Sequence, residues 1–167
     1  MSDLQTLLTD FAAGRLALLE RHEASARQVG HYDFNNTYQY VINREETHLS
    51  WLQNALAEYG IVLPPPGSHA LPAPHPPAAK SGAVASAYRT ILEDDAKYLE
   101  QFVNEWRPRV DSMTHARHRN MLNVILGESM EHRRFFVQAS DGFEDLLGRR
   151  TGGVARVGAV LPTRWQE

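Results

Sequence analysis

Apolar residues recur every three to four positions along four stretches free of proline, and each stretch predicts an amphipathic helix. The first runs from about Asp3 to Val29, with Leu4, Leu8, Phe11, Ala12, Leu16, Leu19 and Ala26 at helical spacing. A short turn follows, Gly30-His31-Tyr32-Asp33, in which Gly30 is expected to end one helix and Asp33 to cap the next. The second helix runs from about Phe34 to Tyr59, carries Tyr38, Val41, Ile42, Leu49, Leu52, Leu56 and Tyr59 on one face, and stops at Gly60. The third is expected from Ser81 to Trp106, broken by Pro108 near Arg107. The fourth is expected from Thr114 to Leu147, with Gly142 as a weak point.

Seven of the nine prolines fall between Pro64 and Pro77, so the connection spanning residues 64–80 is extended and partly polyproline II. At about 3.1 Å per residue it reaches roughly 50 Å with its flanks, against roughly 39 Å for a helix of about 26 residues. Two short turns make antiparallel helix pairs, and a crossover that long makes helices two and three parallel. The predicted class is all-α: a four-helix bundle over residues 1–147, two antiparallel pairs joined by one Pro-rich crossover. Residues 148–167 are expected to be irregular, or to pack on a neighbouring subunit of a homodimer or higher homo-oligomer through Val157, Val160, Leu161 and Trp165.

Composition narrows the chemistry. The 167 residues carry a formal net charge of -3, are 43% hydrophobic and include no cysteine. There is no basic footprint of a nucleic-acid binder, no apolar run long enough for a membrane span, and no signal-peptide pattern at Met1-Ser2-Asp3, so the cytoplasm is the default location. Without cysteine, thiol catalysis and rubredoxin or iron–sulfur sites are excluded. Any metal must be held by carboxylate and imidazole.

An acid in the middle of an apolar stripe is costly unless paired or bound to a metal. At 100° per residue, Glu45 lies at the centre of the second helix's stripe, with His48 on the adjacent ridge: a Glu-x-x-His that projects inward. On the fourth helix Glu128 is surrounded by Met121, Val124, Ile125, Phe135 and Ala139, and pairs with His132 or with Glu131; Glu128 and His132 are preferred as ligands, with Glu131 as the alternative. On the third, Asp95 is nearest the stripe centre in Glu93-Asp94-Asp95. On the first, which is apolar over a wide arc interrupted by Arg15 and His22, Glu23 is preferred over Glu20. Glu23 and Glu45 are symmetric about the first turn. Asp95 and Glu128 are symmetric about a point just beyond Val110, so each pair can meet across its own hairpin. The remaining histidines, His31, His69, His75, His115 and His118, fall in turns, the linker or near a helix start and are expected in solvent.

This arrangement resembles the ferritin-like di-iron superfamily of ferritins, bacterioferritins and rubrerythrins over about Leu4 to Leu147. Carried over by position, Glu23 stands for the first carboxylate, Glu45 and His48 for the bridging pair, Asp95 for a carboxylate that is usually glutamate, and Glu128 with His132 for the last pair, at a spacing of four rather than three. His132-Arg133-Arg134-Phe135-Phe136 looks like the His-x-x-x-Phe run of rubrerythrins. The resemblance implies two iron ions, or iron and manganese, in a ferroxidase-like or peroxidase-like oxidoreductase that uses dioxygen or peroxide and an external electron donor. Two other functions compete with it: iron binding or storage, and a metal-free bundle acting as an interaction module. In the last case the polar core is salt-bridged, with Arg15, Arg27 and Arg44 available as counter-charges.

Overall fold

The structure, a computed structural model, describes residues 1–78, 84–144 and 146–147. Its helices are α1 (Asp3–Gln28), α2 (Tyr32–Ala57), α3 (Val84–Asp111) and α4 (Ala116–Ser140), with no strand among the described residues. The expectations for the tail, including Val157, Val160, Leu161 and Trp165, lie outside the described residues, as does Ser81.

Local chemistry sets the helix ends. Ser2 and Gln5 cap α1 reciprocally: the Ser2 hydroxyl accepts from the Gln5 backbone N–H and the Gln5 side chain accepts from that of Ser2. The Asn35 side chain closes the other end of α1 by donating to the Ala26 and Val29 carbonyls at 2.9 and 3.0 Å. The cap of α2 is His31, whose ring accepts from the Phe34 N–H, and not Asp33, which lies in the first turn, where the helix dipole favours an acid. Gly60 ends α2 in the left-handed region at φ 69°, as expected. Gly142 takes φ 96° just past Ser140, so α4 ends there and does not run on to Leu147.

Pro108 does not break α3, which continues to Asp111. The proline removes one backbone donor near the end of the helix. Trp106, Val110 and Met113 on either side of it are all buried in the core, and that burial holds the last turn in place. The second turn therefore lies at residues 112–115, a few positions beyond where a break at Pro108 would put it.

α1 packs beside α2 and α3, and α4 beside α2 and α3, which leaves α1/α4 and α2/α3 as the diagonals. Neighbours are antiparallel. Phe11 meets Trp106 while Arg21 meets Asp95 across α1/α3, and Tyr40 meets Phe135 while Tyr59 meets His118 across α2/α4. The crossover runs back along the α1/α3 side, where the Gly67 N–H donates to Glu20, the Pro72 carbonyl accepts from Arg21, and Ala78 bonds Ala87 near the start of α3. The result is an all-helical four-helix bundle with one long connection.

Each helix turns a heptad seam inward. On α1 it is Leu8, Phe11, Arg15, Leu18, His22, Ser25 and Val29; on α2 it is Phe34, Tyr38, Val41, Glu45, His48, Leu52 and Ala55; all fourteen are buried. On α4 the seam is His118, Leu122, Ile125, Ser129, His132, Phe136 and Ala139, so His118 is buried rather than solvated. The polar members of these seams, His118 at the start of α4 apart, fall towards the middle of the bundle.

Candidate functional site

Among the described residues, eight polar or charged side chains are fully buried: Arg15, His22, Ser25, Glu45, His48, Asp95, Ser129 and His132. Apart from Ser25 and His132 they fall into two groups. In the first, the Arg15 guanidinium lies 3.3 Å from a Glu45 oxygen, donates to Ser129 Oγ at 2.9 Å and donates to His48 Nδ1 at 3.1 Å. With Nδ1 accepting, His48 carries its proton on Nε2 and donates to Glu128 at 2.6 Å. Arg44 grips both oxygens of Glu128, at 3.0 and 2.8 Å. On the other side of Glu45, His22 Nδ1 sits 2.9 Å from both carboxylate oxygens. In the second group Asp95 accepts from Arg21 Nε at 2.8 Å and from the Tyr38 hydroxyl at 2.5 Å.

The electrostatics follow from this pairing. Burial alone would raise the Glu45 pKa, but His22 and Arg15 together hold it below the usual carboxylate range. Burial likewise disfavours a charged His22, yet its bond to Glu45 outweighs that and raises its pKa. Burial, with Arg15 beside it, pushes His48 down to about 4. It pushes His132 down to about 3, with Glu45 favouring a proton and Arg15 and the neighbouring imidazoles opposing one. His48 and His132 are thus neutral rings in a dry core, their planes stacked at 6.3 Å. Neither nitrogen of His132, nor Nε2 of His22, has a hydrogen-bond partner among the described residues.

Of the sequence-predicted ligands, Glu45, His48, Asp95 and His132 are buried as expected, and Glu128 is half-buried on the α2 side. Glu23 is only half-buried; the seam of α1 instead presents Arg15 and His22. Glu20 bonds the crossover, and Glu131 pairs with Arg134 at the surface. Of the expected counter-charges, Arg15 and Arg44 are in place and Arg27 is exposed. Asp95 and Glu128 do not meet. They bond Tyr38 and His48, whose positions on α2 are ten residues, or about 15 Å, apart along the axis. The cause is the displaced second turn, which moves the level partner of Asp95 along α4 from Glu128 to the neighbourhood of Phe136, packed against the same Tyr38 ring at 4.7 Å.

Comparison with known proteins finds no matching family model, curated protein or solved structure. The donor set must therefore be judged on its own geometry. A pair of metal ions needs carboxylates free to bridge them, and here both oxygens of Glu45, Asp95 and Glu128 are taken by arginine, histidine or tyrosine donors. Among the described residues, the only three histidines or acids with ligand atoms all within 4.8 Å of one another are His31, Asp33 and Glu144, at the end of the bundle. So arranged, the core residues do not fit a two-metal centre.

Sequence reasoning missed Arg21, and it placed Arg15 only among the available counter-charges and His22 only as an interruption of the α1 stripe. The signal was present for Arg15 and His22. Leu8, Arg15, His22 and Val29 are spaced by seven, as are Phe11, Leu18 and Ser25, so the heptad points Arg15 and His22 inward where a count of apolar residues over a wide arc does not.

Proposed function

We propose that this chain is a four-helix bundle of ferritin-like connectivity in which arginine has the charge-neutralising task that a metal pair has in the di-iron proteins, and that it acts by binding a partner rather than by oxidation. The observation that carries this reading is the pairing of all three core acids with guanidinium groups: Glu45 with Arg15, Asp95 with Arg21, Glu128 with Arg44. A metal and an arginine answer the same need, since an ionised carboxylate in a dry interior requires a compensating charge. With the arginines present, the need for iron is gone.

A second reading, an iron or iron/manganese protein in oxidation or storage, is favoured by one observation. Three buried imidazole nitrogens, one on His22 and two on His132, lack partners, and a metal would satisfy them if the arginines withdrew.

One experiment separates the two. Protein purified without chelator and reconstituted anaerobically with Fe²⁺ is expected to retain no stoichiometric iron after gel filtration, and Glu45→Ala to retain no less than the parent. About two ions per chain, lost in Glu45→Ala, would overturn the arginine reading.

A further inference from the structure

A cleft of about 380 Å³ lies between α1 and α3, outside the central network. Gly14 and Leu18 of α1 and Phe102 and Trp106 of α3 form its walls, and Leu71 of the crossover closes one side. Gly14 makes the room: a methyl group there would come within 3.1 Å of the Phe102 ring and 3.7 Å of Trp106 Nε1. Trp106 is only 3% exposed, and its indole nitrogen, next to Gly14, lies at the wall of the cleft. An indole N–H can only donate, so this wall of the cleft suits an acceptor on a bound molecule. A second donor is close by: the Arg109 guanidinium carbon lies over the Trp106 ring, 3.9 Å from its centroid, and the guanidinium pairs with the exposed Asp10 at 3.9 Å.

We propose that this cleft binds a small aromatic monocarboxylate. The volume is at the lower end of the small-molecule range and suits a single ring with a short acidic arm. The ring would lie against Phe102, Leu18 and Leu71. The carboxylate would accept from both the Trp106 N–H and Arg109, a charge-assisted pair of bonds, and would take over from Asp10, which can turn to water. Arg109 is the one arginine or lysine lining the cleft among the described residues, so a second negative charge on the ligand would meet only the acids Asp10 and Glu105, and like charges repel. The proposal rests on the cleft alone and holds whether or not the core takes metal.

Three probes of one shape and different charge test it: phenylacetate, phenylacetamide and phenethylamine. The readout is the indole N–H resonance of Trp106 in a ¹⁵N-labelled sample, assigned by its loss in Trp106→Phe and compared with that of Trp51 as an internal reference. Phenylacetate is expected to shift the Trp106 signal saturably and leave Trp51 in place, with the amide weaker by at least tenfold and the amine weaker still. Arg109→Gln, a change at a half-exposed site, is expected to weaken phenylacetate by at least tenfold with an unchanged helical circular dichroism spectrum. No saturable shift with phenylacetate, equal binding of the amide, or tighter binding of the amine would each overturn the proposal. The probe series is read on the unsubstituted protein, so a misfolded Arg109→Gln would not rescue it.

Discussion

Arg15→Met is expected to destabilise the bundle by about 3–5 kcal/mol, because it leaves a buried carboxylate without its main counter-charge. Methionine keeps most of the arginine stem's volume, so the loss is not chiefly one of packing. What goes is the 3.3 Å ion pair with Glu45 and the donors to Ser129 and His48. His22 alone then faces Glu45. The double variant Arg15→Met/Glu45→Gln removes the charge together with its partner and is expected to cost clearly less than the sum of the two single changes, since sites in contact are not additive. Urea unfolding at neutral pH measures all three. A cost below about 1 kcal/mol for Arg15→Met, the range of an exposed pair, would show that Arg15 is not what keeps the core acids ionised.

Acid should unfold this protein early, and the two neutral histidines set the window. Free in the unfolded chain, each ring takes a proton near pH 6.5. In the fold His48 resists to about pH 4 and His132 to about pH 3. Above 6.5 both states are neutral and neither ring contributes a pH dependence. Below 6.5 the unfolded chain binds protons that the folded chain refuses, so stability falls as pH falls, by about 1.4 kcal/mol per unit for each ring. The loss stops growing only below the folded values. His22 has the opposite shift: its pKa is raised, so its contribution is fully present below pH 6.5 and is lost as pH rises through the folded value. It adds a constant over the acid window. The lowered pKa of Glu45 and Glu128 adds a further loss as the pH passes below the ordinary carboxylate range. At the lower end of the 5–15 kcal/mol typical of a domain, these slopes bring unfolding to between about pH 5 and pH 4. His132→Leu is expected to flatten the dependence between pH 6 and 4 by about 1.4 kcal/mol per unit, read as the urea midpoint at successive pH values. An unchanged slope would mean that His132 is not held neutral by the core.

The helices and their connectivity were legible because they depend on periodicity and punctuation. Four apolar repeats, two short turns and a proline-rich segment of helix length leave few other topologies. The inward placing of Glu45, His48, Asp95 and His132 was legible for the same reason, since the apolar stripes of α2, α3 and α4 are narrow enough to fix a face. α1 was misread because Ala12, Ala13, Ala17, Leu16 and Leu19 spread its stripe over a wide arc, and the choice made there was between two acids, Glu23 and Glu20, with Arg15 and His22 read as interruptions. The vertical register failed at one residue. Treating Pro108 as a break put the second turn too early and brought Asp95 level with Glu128, whereas burial of Trp106 and Val110 carries the helix past it. Propensity is a local quantity, and the packing that overrides it comes from residues on other helices.

Arg21 joins three parts of the molecule that are far apart in sequence. One edge of its guanidinium holds Asp95 on α3 and the other holds the Pro72 carbonyl, while its plane lies over the Tyr98 ring at 5.2 Å. The proline-rich strap is therefore fastened to the interior rather than draped over it. A protease seeking the peptide bonds around Leu71 would have to wait for that fastening to release, so the rate of nicking there would act as a clock for openings of the bundle's middle that no surface probe reaches.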